Sequence, residues 1–277
     1  MNAVDCHAHV FDPRRFAFAQ DSAYVPASHE IGTVADFLAV LDAHGLSHGL
    51  LVNPTSGYGI DNRCMLDAIA QSNGRLKGIV KLSPGVSASE IADLAARGII
   101  GVRFDLIGDG LAALLDPAAT KLLQQIHSLG WIAEVQCEGD QFAQVKGTLE
   151  ASGVAVIVDH CGRPDATQGL AQPGFQALLA FGSSERAAVK LSGPFRFSRT
   201  GPPYRDADPY VAALIEAFTP ERCVWGSDWP FLRIPARIDY GPVLECLTRW
   251  LPDERQRRRV LWDTPARLFG FGSFTRE

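Results

Sequence analysis

Several features that mark other protein classes are missing from this chain. The six cysteines are widely spaced and contain no C-x-x-C pair, which argues against a zinc ribbon or a redox motif and favours a reducing compartment. No uninterrupted apolar run approaches the roughly 20 residues that span a bilayer. Asp5 and His7 stand where a signal peptide would need its apolar core. We therefore expect a cytoplasmic protein that is neither secreted nor inserted into a membrane.

An excess of basic residues is also missing. Lysine and arginine number 26 against 31 aspartates and glutamates, which gives a net charge of -5 and no electrostatic reason to expect nucleic acid or an anionic membrane surface. The dense basic run at residues 255–259 is better explained as the solvated side of a terminal helix. Internal repeats, low-complexity tracts and interdomain linkers are absent from the sequence. We expect one domain over residues 1–277 and a small-molecule partner, with homo-oligomerisation left open.

What the sequence contains points to a barrel. Its 277 residues, 47% of them hydrophobic, match the usual size of a (β/α)8 TIM barrel. Short runs rich in Val, Ile and Leu alternate with helical patterns, as strands buried in a parallel sheet alternate with crossover helices. The eight runs are residues 4–10, 49–53, 78–83, 101–106, 131–137, 154–160, 188–193 and 223–228. An open doubly wound α/β sheet could also hold eight strands.

The segments between these runs carry helix start and stop signals. The predicted helices start at Thr33, at Ser87 or Ser89, and at Asp116–Pro117, and they end at Gly45, Gly98 and Gly130, respectively. Residues 193–209 are rich in Gly, Pro and charge and follow the seventh run, so they predict an active-site loop. Near the C-terminus we expect a closing helix, a turn at Thr264–Pro265 and a short helix that packs Leu268 and Phe269.

Polar side chains cluster where the predicted strands end. Chemistry in a barrel collects at the C-terminal strand ends. Alternate residues of a strand share a face, so His7 and His9 should point the same way, together with Asp5. A single histidine there would more often be a hydrogen-bonded core residue, but a pair favours a functional site.

Two further runs end in titratable residues. The sixth ends in Asp159–His160, and the eighth ends in Asp228 before a proline-containing turn. Either one alone could be a turn or cap residue. Together with the histidine pair of the first strand, they indicate a catalytic or metal-binding constellation.

Three arginines form a second group of candidates. Arg103 lies inside the fourth run, where a buried guanidinium needs a partner, and we expect that partner to be an anionic ligand or Asp105. Arg163 and Arg196 follow the sixth and seventh runs. Because the guanidinium fork matches a carboxylate, the three predict an acidic substrate. Three structural ion pairs are the alternative explanation.

Five ordered motifs carry a family resemblance. The segments DCHAHVFDP, NPTSGYGIDN, GVRFDL, VDHCGRPD and WGSDWP resemble the amidohydrolase superfamily (amidohydrolase-related family 2). The specific similarity is to its lactonase branch, typified by 2-pyrone-4,6-dicarboxylate lactonases. The resemblance runs from about residue 4 to residue 270. It implies a distorted (β/α)8 barrel that hydrolyses the ester bond of a lactone.

The resemblance also implies residue roles. Asp228 would be the general base that takes a proton from water, while His7, His9 and His160 would polarise the carbonyl oxygen. The implied substrate contacts are Arg103, Arg163, Arg196, Thr55, Ser56 and Tyr58.

The fifth strand departs from the metal-binding members of the superfamily. They usually have a histidine at its end, whereas this chain has Gln136, with Glu134 on the same face. Glutamine is a poor zinc ligand, so we expect metal-independent chemistry with no required cofactor, and we place Gln136 among the substrate-binding candidates. Zinc or another divalent metal held by His7, His9 and Asp228 with water is the alternative.

A second departure concerns the substrate. The pyrone dicarboxylate enzymes have a further arginine after the fourth strand, where this chain reads IGDGLAALLD. We therefore expect a less charged ring, such as a muconolactone-type lactone or an aldonolactone, from aromatic or sugar acid catabolism. Two other hypotheses stay open: a zinc-dependent amide hydrolase or decarboxylase, and a non-catalytic barrel that binds carboxylates.

Overall fold

The structure is a computed structural model that describes residues 2–83, 85–234 and 236–273. Within them, eight parallel strands are hydrogen-bonded in sequence order. The strands are β1 Val4–Ala8, β2 His48–Val52, β3 Leu76–Val80, β4 Ile99–Asp105, β5 Ile132–Gln136, β6 Ala155–Val158, β7 Ala187–Ser192 and β8 Cys223–Gly226. Each strand overlaps one predicted run.

Helices follow each strand and surround the sheet. The longer ones are Val34–Ala43, Arg63–Gln71, Ala88–Ala96, Pro117–Ser128, Gln141–Ser152, Pro173–Phe181, Asp208–Phe218 and Tyr240–Trp250. Shorter helical segments are Ser28–Glu30, Thr55–Tyr58, Ala112–Leu115, His160–Gly162, Pro194–Arg196, Arg205–Ala207, Pro220–Arg222, Glu254–Arg258, Arg259–Asp263 and Thr264–Phe269. No helix in the described part of the chain combines the length and apolar character needed to cross a bilayer.

The sheet closes where β8 meets β1. The Asp228 amide donates to the His7 carbonyl at 2.8 Å, and the His9 amide donates to the Trp229 carbonyl at 2.8 Å. These bonds join the last strand end to the first, so the (β/α)8 barrel prediction is confirmed and the open-sheet alternative is wrong.

Apolar side chains fill both sides of the strands. One cluster takes a residue or two from most strands and is joined by Phe269 and Phe271 of the C-terminal segment. Its strand members are Val4, Cys6, Leu50, Ile79, Ile132, Ile157, Ala188 and Val224. A larger cluster packs the strands against the helices. Strands buried on both faces explain why the eight runs are almost continuously apolar.

The predicted helix starts are confirmed by capping bonds. Thr33 accepts from the Asp36 amide, Ser87 from the Glu90 amide, and Asp116 from the Ala118 amide. Each bond satisfies an amide that lacks a partner within its own helix.

The turn predicted at Thr264–Pro265 is wrong. A wide helical turn, Arg259–Asp263, leads directly into the helix Thr264–Phe269. Proline is tolerated in the first turn of a helix because no intrahelical bond is lost there. The predicted loop at 193–209 contains short turns of 3-10 helix at Pro194–Arg196 and Arg205–Ala207.

One irregularity in β1 shapes the site. Between Asp5 and Ala8 the strand has one more residue than the facing part of β2, as in a β-bulge. Asp5 accepts hydrogen bonds from Ser227 and Tyr240, so it does not share the face of His7 as alternation predicts. The extra residue turns the two side chains to different sides of the strand.

Candidate active site

Asp228 and three histidines meet at the C-terminal end of the barrel. Asp228 Oδ1 lies 3.3 Å from Nε2 of His9 and 3.8 Å from Nε2 of His7, and its Oδ2 lies 3.8 Å from Nε2 of His160. All four side chains are buried. The structure thus brings together the four residues that the motifs predict, with the carboxylate bracketed by imidazole nitrogens.

Backbone turns aim these side chains inward. His160 and Asp228 both have left-handed backbone, with φ of 49° and 62°, a conformation that costs energy for residues other than glycine. Buried Asp5 holds the turn before Asp228, because its carboxylate accepts from the Ser227 amide at 2.9 Å and from the Ser227 hydroxyl at 2.6 Å. Burial raises the pKa of Asp5 to about 6, although hydrogen bonds from Ser227 oppose that rise.

Asp228 is held in its ionised form. Burial alone would raise its pKa, but the positive charge of Arg196 and the neighbouring His160 outweigh burial and hold the pKa well below its usual value. Arg196 Nε donates to Asp228 Oδ2 at 2.7 Å, and its Nη1 donates to the Leu232 carbonyl at 2.7 Å. A carboxylate in this state is available to accept a proton.

The second ring nitrogen of each histidine has a different partner. His9 Nδ1 donates to the Val52 carbonyl at 2.9 Å, while His160 Nδ1 lies 2.9 Å from the Ser192 hydroxyl. Burial lowers the pKa of His160 to about 4, against the opposing charge of Asp228. Burial, and then the charge of Lys190, lowers the pKa of His7 well below its usual value. His7 and His160 are therefore neutral near pH 7.

A cluster of buried charges lies next to His7. Lys190 Nζ contacts a carboxylate oxygen of Glu134, lies 3.1 Å from Asp159 Oδ1, and donates to His7 Nδ1 at 3.0 Å. Burial and the charge of Asp159 raise the pKa of Glu134 to about 8, although Lys190 opposes that rise. The sequence interpretation missed Lys190. Its signal was a charged residue in the middle of a buried strand, the same signal that identifies Arg103.

Arg103 belongs to this cluster as well. Its Nη2 donates to Gln136 Oε1 at 2.6 Å and lies 3.6 Å from Asp159, and its Nε lies 3.8 Å from Glu134. Its ion-pair partners within 4 Å are therefore Asp159 and Glu134, while the charge of the expected partner Asp105 acts on it from a greater distance. Asp105 instead accepts a hydrogen bond from Thr55 Oγ1 at 3.0 Å.

The remaining candidates differ in how accessible they are. The Arg163 guanidinium is one-fifth exposed and lies 3.3 Å from Glu138. Its buried Nε has no hydrogen-bond partner among the described residues. Ser56 is buried just beyond the end of β2. Tyr58 is also buried, and its hydroxyl accepts from the Asp12 amide at 3.1 Å.

The residues fit a metal ion only in part. One ligand atom each from His7, His9 and Asp228 lies within 4.8 Å of the others. A metal-bound histidine usually donates its other ring N–H to an acceptor, as His9 does to Val52. His7 Nδ1 instead faces the ammonium of Lys190, which can only donate. The proton of neutral His7 then sits on Nε2, so this arrangement does not fit a three-ligand site.

Comparison with known proteins defines the family. The family model described as "Amidohydrolase" matches residues 4–271. The chain belongs to the amidohydrolase family. This amidohydrolase is 34% identical over 276 residues to the 4-sulfomuconolactone hydrolase of Rhizobium radiobacter, a match that covers 97% of this chain and 90% of that protein. It is 31% identical to the 2-pyrone-4,6-dicarboxylate hydrolase of Comamonas testosteroni, covering 96% and 90%.

Solved structures of the family share the architecture. A probable 2-pyrone-4,6-dicarboxylic acid hydrolase from Acinetobacter baumannii, with citric acid bound, has a TM-score of 0.90 and 33% identity to this amidohydrolase, covering 98% of this chain and 100% of that one. An amidohydrolase from Burkholderia multivorans with bound zinc has a TM-score of 0.79 and 18% identity, covering 98% and 100%. The second likeness shows a shared fold alone.

Proposed function

We propose that this amidohydrolase is a lactonase that hydrolyses the cyclic ester of a carboxylated small molecule. The observation that carries the proposal is the buried Asp228 carboxylate, with the Nε2 atoms of three histidines 3.3 to 3.8 Å from it. The relatives named as hydrolases of 4-sulfomuconolactone and 2-pyrone-4,6-dicarboxylate support a lactone substrate.

In the proposed reaction, Asp228 takes a proton from water while the water oxygen attacks the carbonyl carbon of the ring. The carbonyl oxygen becomes an oxyanion. When the carbonyl reforms, the ring C–O bond breaks, and the departing alkoxide receives the proton that Asp228 holds. One water is consumed and one hydroxy acid is formed. The ionised state of Asp228 is what the first step requires.

The histidines would surround the carbonyl oxygen. His7 Nε2 is buried and makes no hydrogen bond to any residue that the structure describes, so a proton there is left for a substrate oxygen. His160 is neutral and presents Nε2 on the other side of Asp228. His9 would donate from Nε2 only with both ring nitrogens protonated, because Nδ1 already donates to Val52. Donors aimed at a developing oxyanion are worth several kcal/mol in a buried site.

Arg163 and Arg196 are the proposed contacts for a substrate carboxylate. The charges of Arg196 and Asp228 both act on Arg163, so these groups lie near one another. Arg103 is a further proposed contact, because its bonds to Gln136 and to the Asn53 carbonyl use only two of its five N–H donors. The citric acid in the related Acinetobacter structure is a small polycarboxylate and supports an acidic ligand.

The remaining polar candidates are Thr55, Ser56 and Gln136, which we propose as neutral hydrogen-bond partners of the substrate. Tyr58 is a further proposed contact, because its hydroxyl accepts from the Asp12 amide and keeps its own proton to donate. A muconolactone-type ring agrees with the name of the Rhizobium relative. All six cysteines are unpaired and buried, which supports the proposal of a reducing, cytoplasmic compartment.

A metal-dependent hydrolase is the second candidate. The convergence of His7, His9 and Asp228 within 4.8 Å favours it, and the contact between Lys190 and His7 opposes it. Elemental analysis and chelation distinguish the two candidates, because stoichiometric zinc whose removal abolishes activity would support the second.

A lactone panel tests the proposal. Purified protein is assayed by acid release from muconolactone, a sulfonated muconolactone, a pyrone dicarboxylate and aldonolactones, with and without chelator. We expect turnover of at least one carboxylated lactone that survives chelation. Saturable binding without turnover of any lactone would overturn the proposal and support a non-catalytic carboxylate-binding barrel.

A further inference from the structure

The charge cluster beside His7 has no role in the proposed reaction. Lys190, Glu134 and Asp159 are completely buried, and removing such charges from water costs several kcal/mol for each ion before pairing offsets it. Hydrophobic residues of similar volume would fill the same space without that cost. A purely structural role does not account for this cost, so we examined whether the cluster has a functional role.

The three N–H donors of the Lys190 ammonium face three acceptor atoms. Its ammonium carries three N–H donors and no acceptor, and it faces a Glu134 oxygen, Asp159 Oδ1 at 3.1 Å and His7 Nδ1 at 3.0 Å. A nitrogen that accepts from an ammonium cannot carry a proton itself. In this arrangement neutral His7 must carry its proton on Nε2.

Asp159 is the competing partner of His7. Its Oδ1 lies 3.2 Å from His7 Nδ1, and a proton on Nδ1 could be donated to it. That contact is not aligned as a hydrogen bond, and in the described part of the chain Asp159 Oδ1 has no aligned partner. The Lys190 contact with His7 is both shorter and aligned.

His7 and His9 lie at the same strand end, but their Nδ1 atoms make different hydrogen bonds. His9 donates from Nδ1 to the Val52 carbonyl. His7 accepts at Nδ1 from a cation, which leaves a proton on Nε2, an atom that is buried and 3.8 Å from Asp228 Oδ1. The two histidines thus use Nδ1 in opposite ways, His9 as a donor and His7 as an acceptor.

We propose that Lys190 is a positioning residue that fixes the Nε2–H tautomer of His7, so that His7 donates a hydrogen bond to the lactone carbonyl oxygen and is withheld from metal binding. The substrate part of this statement rests on the proposed lactonase function. The tautomer part concerns the free protein and does not depend on that function.

Nitrogen NMR of histidine-labelled protein tests the tautomer directly. The two-bond ¹⁵N–¹H correlation pattern separates Nε2–H from Nδ1–H imidazole, and His7→Asn assigns the His7 signals. We expect the Nε2–H pattern for His7 in the wild-type protein at neutral pH. An Nδ1–H pattern, or protonation of both nitrogens, would overturn the proposal whether or not the protein opens lactones.

Variants test whether Lys190 is the cause. The double variant Lys190→Met with Glu134→Gln removes the ammonium together with the carboxyl group that it contacts, and Glu134→Gln alone is the matched control that keeps the ammonium. We expect the double variant to lose the Nε2–H preference and the control to keep it. An unchanged His7 tautomer in a folded double variant would show that Lys190 does not set it. If the double variant fails to fold, the wild-type tautomer decides the proposal.

Kinetics and zinc binding give two independent measurements. In the double variant we expect kcat on the responsive lactone to fall about 10- to 100-fold with little change in KM, and zinc affinity to rise by about the same factor. The surface variant Lys146→Met should match the wild type in both. Tight zinc binding by the wild-type protein that His7→Asn abolishes would contradict the proposal, since His7 would then be a ligand.

Discussion

Gly226 has no side chain, and this allows β8 to approach β1 closely enough to close the barrel and to hold His7 in position. It is the last residue of β8. A Cβ added there would lie 2.6 Å from His7 Cβ and 2.8 Å from the His7 backbone nitrogen. The nearest atoms belong to β1 rather than to the far end of a flexible side chain, so they can yield only if the two strands separate.

For Gly226→Ala we expect a loss of about 1–3 kcal/mol in the free energy of unfolding, the usual cost of overpacking a dense core. For a domain of this size that loss lowers Tm by roughly 2–4 °C per kcal/mol. His7 would shift with β1, and a displacement of about 1 Å can reduce catalysis by about 100-fold. Activity should therefore fall by more than the change in Tm suggests.

Calorimetry and lactone turnover measure the two effects. Gly147→Ala is the matched control, because a Cβ at that position in the helix Gln141–Ser152 meets no atom of the described residues within 4 Å. The control should gain about 0.5–1 kcal/mol from the better helix propensity of alanine. Equal Tm and equal activity in the two variants would refute the argument that β1 and β8 approach too closely for a side chain.

Two further predictions concern pH. Arg196→Met removes the charge that holds the pKa of Asp228 low, so the acid limb of the kcat/KM profile should move to higher pH. The control Arg199→Met, at an exposed position, should leave the acid limb in place. A profile that stays fixed in Arg196→Met would exclude Asp228 as the titrating base. Burial, with Arg75 and Lys77, lowers the pKa of His48 from 6.5 to about 4, so the unfolded chain binds the extra proton. This group's contribution to the free energy of unfolding should fall between pH 6.5 and 4, by at most about 1.4 kcal/mol per pH unit. His48→Gln should flatten the measured pH dependence in that window, and an unchanged slope would contradict the assignment.

The sequence predicted the barrel because its signals are local. Alternating apolar runs and capping residues such as Thr33, Ser87 and Asp116 each act within a few residues, and the structure confirms the elements that they predict. Strand bounds differ by a few residues. Residues such as His160 and Asp228 continue the predicted runs but have left-handed backbone, which the run of residue types does not reveal.

The motifs predicted the central site, but the contacts between residues far apart in the sequence could not be predicted from local patterns. Strict alternation placed Asp5 beside His7, but the extra residue in β1 reverses that arrangement. Arg103 was recognised as a buried charge, whereas its partners Asp159 and Glu134 come from other strands that no local pattern connects to it. Lys190 is the clearest omission. Its neighbours in β7 gave no indication that three acceptors from β1, β5 and the end of β6 converge on it.

The turnover number of Asp228→Asn on the lactone that the wild-type protein opens is the most direct test of the account. The substitution keeps the shape of the side chain and removes its basicity, so we expect kcat to fall by about 10²- to 10⁴-fold in chelator-treated buffer. The surface variant Asp93→Asn should keep the wild-type rate. Wild-type turnover by folded Asp228→Asn would contradict the central claim that Asp228 activates the water.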